Sequence, residues 1–187
     1  MESSTNTAAA SSAVAEGGGG AAVAEAEEAV RVMVAIDDSG ESFYALEWVL
    51  DNLVVSDDDH RYLLTIIHVM EPFPHYIVPG APAVFPSTSI IRSVNKAQEE
   101  NASAILIRAV DMCTPTKVKT KTSIIEGDPK EMICDVAEQM QVDLIVMGSR
   151  GLGKIKRAFI GSVSDHVIHH AKCPVLVIKA PRSSEFE

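Results

Sequence analysis

Residues 148–162 read Gly148-Ser149-Arg150-Gly151-Leu152-Gly153-Lys154-Ile155-Lys156-Arg157-Ala158-Phe159-Ile160-Gly161-Ser162. Glycines let backbone amides turn toward an anion with no side chain in the way. Arg150, Lys154, Lys156 and Arg157 add positive charge to a chain whose formal net charge is -10. A helix expected to start at Ser162 offers free N–H groups and the positive end of its dipole. Together these features predict a phosphate cradle. Asp37, which follows the apolar run Val32-Met33-Val34-Ala35-Ile36, is the second candidate. A carboxylate at the end of the first strand of an α/β sheet can accept hydrogens from ribose hydroxyls. The same residue type also suits a turn or a helix N-cap, a role for which Ser39 competes.

Two familiar phosphate motifs compare poorly with this stretch. The dinucleotide fingerprint G-x-G-x-x-G belongs after a first strand, whereas here the order is G-x-x-G-x-G after a fourth. Gly148 to Lys154 fits the start of G-x-x-x-x-G-K-[ST], but Ile155 stands where a hydroxyl would hold magnesium. A P-loop NTPase is therefore a decoy. Ser164, Asp165 and His166 are adjacent along one helix turn, whereas a catalytic triad is assembled in space. His169-His170 has no partner at metal spacing, with one ring expected to pack and the other to face water. His68 reads as a satisfied core group, Cys173 before Pro174 as structural, and Trp48 as core or half-buried. No catalytic residue and no metal site is expected.

The elements that must carry these residues follow from hydrophobic periodicity. Short apolar runs at 32–36, 63–69, 144–147 and 175–178 are expected to be strands, the first of them buried on both faces. Val118, Thr120, Thr122 and Ile124 alternate with Lys119, Lys121 and Ser123, the pattern of an edge strand with one wetter face. Leu46, Val49, Leu50 and Leu53 recur at helical spacing. A long helix is expected from about Thr88 to Met112, with Ile91, Val94, Ala102, Ile105, Leu106 and Ala109 apolar. A third helix starts at Asp128-Pro129-Lys130-Glu131, with Asp128 as cap and Glu131 completing a capping box; Ile133, Val136, Ala137 and Met140 form its buried face. The fourth turns Val163, Val167 and Ile168 inward. Residues 71–87 hold Pro72, Pro74, Pro79, Pro82 and Pro86, too many for a helix or central strand. A loop of that length is often functional. Five strands alternating with four helices imply a parallel sheet covered on both faces. Its ligand site would lie past the carboxyl ends of the strands, where the strand order reverses.

Gly148-x-x-Gly151, nine residues, then Gly161-Ser162 resembles the nucleotide-binding pattern of the universal stress protein family. The likeness extends to Val34-Ala35-Ile36-Asp37-Asp38-Ser39, His68-Val69, Gly127-Asp128-Pro129, Asp143 to Gly148, and Cys173-Pro174-Val175-Leu176-Val177. It spans residues 31–179 and points to the ATP-binding, plant-type branch. It implies a Rossmann-like (adenine nucleotide alpha hydrolase-like) parallel sheet of order 3-2-1-4-5. It also implies a ligand, ATP or its relatives AMP and ADP, with or without Mg2+. Carried over by position, Asp37 would bond ribose or adenine, with Ala35 and Ile36 along the adenine edge. Val69 would meet adenine through its backbone, and Met147 would lie along the nucleotide. Gly148, Arg150, Gly151, Gly161, Ser162 and Val163 would surround the ribose and phosphates. Asp38 departs from the family's small or neutral residue, and a second carboxylate beside Asp37 works against binding an anion. The proline-bearing loop is assigned no contact.

Composition sets the remaining bounds. A net charge of -10 argues against nucleic acid and anionic membranes as partners. Three dispersed cysteines, without Cys-x-x-Cys, argue against a disulfide framework or a zinc site. Residues 1–30 are rich in Ala, Ser and Gly, carry Glu but no Lys or Arg, and fit neither a signal nor a transit peptide. They are read as an unfolded tail before a domain at 31–180 and a short tail at 181–187. The expected location is the cytoplasm, with the nucleus open to so small a chain. Val175 to Ile178, apolar on both faces at a sheet edge, is expected to pair with a second copy, as in the family. The leading function is a nucleotide-binding regulatory or interaction module of the stress response. The competing readings are a slow ATPase or nucleotidyl-transfer enzyme and a nucleotide-free dimeric scaffold.

Overall fold

Valine, isoleucine and leucine dominate the strands at the centre of the sheet, because both faces of these strands are covered. The computed structural model describes residues 29–54, 61–72, 88–151 and 160–181 of the 187-residue chain. In chain order the elements are β1 (Val30–Ala35), α1 (Gly40–Asn52), β2 (Tyr62–Met70), α2 (Thr88–Cys113), β3 (Lys119–Glu126), α3 (Pro129–Gln139), β4 (Leu144–Gly148), α4 (Ser162–His170) and β5 (Val175–Ile178). A 3-10 turn at Thr114–Thr116 ends α2, and Lys117 after it adopts a left-handed conformation. The strands form one sheet of order β3-β2-β1-β4-β5, and every neighbouring pair is parallel. β1 is central, in register with β2 (Val32↔Leu64) and with β4 (Val32↔Leu144).

Alternate residues of β1 feed opposite layers, as the strand period of two requires. Val32 and Val34 pack with Phe43, Leu46, Val49 and Leu50 of α1 and with Ile105, Leu106 and Ala109 of α2. Met33 and Ala35 face Ile133 and Ala137 of α3 and Val167 of α4. α1 is capped by Ser39, whose side chain accepts from the Ser42 amide, and α3 by Asp128, which accepts from the Lys130 amide.

Several local expectations shift. β1 starts at Val30, inside the stretch read as tail. Met140 and Ile168, expected inward, are 37% and 40% exposed. Met140 lies past the last residue of α3, in its C-cap position, so the face it continues has already ended. On α4 Val167 is buried and Val163 packs against the same layer, so of the three residues expected inward only Ile168 turns out. On β3, Thr122 is exposed and Ile124 is 39% exposed, while Ile125 packs inward. An edge strand is covered unevenly, so its alternation does not mark one buried face. Glu131 does not fold back on Asp128; its carboxylate lies 3.6 Å from His166 Nε2. Residues 1–28 of the tail read at 1–30, residues 182–187 of the tail read at 181–187, Lys154, Lys156 and Arg157, and residues 73–87 of the proline-rich loop lie outside the described residues.

Candidate functional site

The two turns flanking the point where strand order reverses follow β1 and β4, and the sequence builds them to different ends. In the β1 turn, Asp37 Oδ1 accepts from the Ser39 amide at 3.1 Å and from the Ser39 hydroxyl. Ser42, buried in the first turn of α1, places its Oγ 2.8 Å from the Asp37 carbonyl and 3.2 Å from the Asp37 amide. Asp37 is therefore a turn residue, held by both its side chain and its backbone, while Ser39 takes the cap. Its other oxygen, Oδ2, lies where a Cβ on Gly151 would have to go. The carboxylate thus packs directly against the glycine turn.

After β4 the backbone must pass close to α1. A Cβ on Gly148 would come within 2.9 Å of the Glu41 backbone, so only glycine fits this position. Gly161 is the cap of α4, has no side-chain cap bond, and donates its own amide to the Ser149 carbonyl at 2.8 Å. The first amides of α4 accordingly open toward the cleft without a capping side chain, the arrangement that suits an anion. Ser164 Oγ, which is buried, donates to the Gly148 carbonyl at 2.9 Å and pins α4 to the end of β4.

These turns enclose a cleft of about 510 Å3, in the size range of small-molecule sites. All eleven residues singled out in the sequence line it: Ala35, Ile36, Asp37, Val69, Met147, Gly148, Arg150, Gly151, Gly161, Ser162 and Val163. Asp38, the departure from the family pattern, lines it too.

Sequence reasoning missed part of the wall. His68, Asn101 and Ile105 line the cleft on the α1–α2 side, and Pro129 and Ile133 on the α3–α4 side. Glu71, the first residue of a loop that was assigned no contact, lines it as well. His68 places Nδ1 2.9 Å from the Ile36 carbonyl. A carbonyl only accepts, so the ring N–H at Nδ1 donates. Its place on the last turn-facing stretch of β2 was the available signal.

The arrangement offers hydrogen bonds, an apolar floor from Ile36, Val69 and Met147, and anion-binding amides. The Ser164-Asp165-His166 run stays apart as a triad would not: Ser164 is committed to Gly148, Asp165 is exposed, and His166 stacks on His170 with centroids 3.9 Å apart. His169 and His170 are both exposed residues, and of the two rings it is that of His170 that packs, against His166. Among the described residues no three His, Cys, Asp or Glu side chains converge on a metal site, and no helix is long and apolar enough to cross a membrane. Burial pushes the Cys113, Cys134 and Cys173 thiols up, which keeps them protonated at neutral pH.

A five-stranded parallel sheet of this order, with its cleft at the switch point, defines a Rossmann-like α/β protein. Comparison narrows the class: the chain belongs to the universal stress protein family, whose model matches residues 29–179. A universal stress protein A-like protein of Arabidopsis thaliana is 31% identical over 162 residues, covering 81% of this chain and 91% of the relative. A universal stress protein family member from Arabidopsis thaliana, solved with AMP bound, is 26% identical with a TM-score of 0.61, over 83% of this chain and 97% of that one. Universal stress protein UspA from Lactobacillus plantarum is 25% identical with a TM-score of 0.62, over 80% and 97%.

Proposed function

We propose that the cleft binds an adenine nucleotide (ATP, ADP or AMP) and that the protein is a cytoplasmic regulatory or interaction module of the stress response rather than a turnover enzyme. One observation carries this reading: a glycine turn, the uncapped start of α4 and Asp37 line a single cleft at the switch point. The AMP found in the Arabidopsis relative supports it. Asp37 would hold ribose or adenine, with Ala35, Ile36, Val69 and Met147 against the base. Gly148, Arg150, Gly151, Gly161, Ser162 and Val163 would surround the ribose and phosphates, and Mg2+, where present, would ride on the phosphates. Binding is the activity assigned. Binding to the folded state alone would stabilise the domain by mass action.

The test is to purify the chain without added nucleotide, denature it and chromatograph the released small molecules. The expected result is adenine nucleotide at near one per chain, lost in Gly161→Val. No released nucleotide, and no thermal shift on adding ATP or AMP, would replace this reading with a nucleotide-free scaffold.

A further inference from the structure

Residue 149 does not line the cleft, yet four segments meet on it. Ser149 is 4% exposed. Its amide donates to the Ile178 carbonyl at the end of β5 at 2.7 Å, and its carbonyl accepts from the Gly161 amide at 2.8 Å. Its hydroxyl donates to Glu41 Oε2 in the first turn of α1 at 2.7 Å. The residues on either side of it, Gly148 and Arg150, do line the cleft. The Glu41 backbone packs directly on Gly148. The hydroxyl–carboxylate bond therefore joins the first turn of α1 to the turn after β4.

We propose that Ser149 and Glu41 are a positioning pair that clamps the glycine turn to α1 and so holds the anion-binding amides in place. Building on the nucleotide reading of the cleft, the pair acts on the ligand without touching it. The bond uses a charged acceptor in a half-buried place, and such bonds are the stronger kind. Removing the hydroxyl frees the Gly148–Gly151 turn from α1. Glu41→Gln keeps the acceptor oxygen, whereas Glu41→Ala removes it.

The experiment is titration calorimetry with AMP on the full chain and on Ser149→Ala, Glu41→Ala, Glu41→Gln and the double Ala variant, beside hydrogen exchange of the ligand-free proteins. Ser149→Ala and Glu41→Ala should each weaken AMP about 10-fold, and the double variant should be no weaker than either single. Glu41→Gln should stay close to wild type. The Gly161 amide should exchange faster in both Ala variants while the amides of α3 do not change. A double variant whose loss is the product of the single losses, or Ala variants that bind AMP as wild type does, would overturn the pair. Wild-type protein that binds no AMP would sink the nucleotide reading alone, since exchange at Gly161 still decides whether the clamp exists. Should Ser149→Ala fail to fold, the contrast between Glu41→Ala and Glu41→Gln decides the question.

Discussion

Gly148 and Gly161 both line the cleft, but they are glycine for different reasons. At Gly148 an added Cβ would press on the backbone of Glu41 and Ser42 at 2.9–3.0 Å, and a helix backbone cannot step aside. At Gly161 the nearest atom, the Arg150 Cα, is 3.4 Å away, an ordinary contact. Gly148→Ala should therefore lower thermal stability by about 1–3 kcal/mol, the usual cost of overpacking. Gly161→Ala should melt near wild type and lose affinity for nucleotide only. A melting curve for each variant, beside an AMP titration, separates the two roles; equal melting temperatures would show that the Gly148 contact relaxes. Residue types and spacing made most of the cleft legible at this scale, because glycines and a turn carboxylate have few other uses at strand ends. Asn101 and Ile133 were not legible. Each looks like a core or surface residue of its own element, and only the packing of those elements brings it to the cleft.

The element that positions the cleft is the pairing of β1 with β4, and its amino end is tied by one residue pair. The Arg31 amide donates to Asp143 Oδ2 at 2.8 Å, the Asp143 amide donates to the Arg31 carbonyl at 2.9 Å, and Arg31 Nε reaches the same carboxylate at 3.3 Å. The hydrogen bond from the Arg31 amide, more than the guanidinium, holds the Asp143 carboxyl below the usual carboxylate range, against a smaller effect of burial. A depressed carboxylate stabilises the fold above its unfolded value, about 4, and that stability is lost as pH falls through the folded value. Both side chains are exposed by more than a third, so the contribution is small. Asp143→Asn should melt slightly lower than wild type at pH 7, and its melting temperature should fall less between pH 5 and pH 3. Parallel pH curves for the two proteins would remove the pair from the account. Element types followed from periodicity with little loss. What failed were details that depend on neighbours: the inward phase of β3, the burial of Ile168, and the capping box at Glu131, which faces His166 instead.

At the scale of the molecule, β5 leaves one long side of the sheet open. The Pro174 and Ile178 carbonyls point at β4, accepting from Ile145 and Ser149. Strand alternation therefore turns the backbone groups of Val175 and Val177 outward. We propose that a second copy pairs here. Proline at position 177 would remove an outward N–H while sparing the ladder to β4. Wild type should scatter light as a dimer at micromolar concentration, and Val177→Pro as a monomer with the same circular dichroism. A monomeric wild type would end the proposal. The tie between β1 and β4 also has a consequence in time. Arg31 and Asp143 stand 112 positions apart, and the chain is made from its amino end at about 5–20 residues per second. β1, β2 and β3 leave the ribosome while one wall of the cleft has yet to be translated. A nascent or truncated chain is blind to whatever the cleft binds, so ligand capture marks a chain translated at least through the start of α4.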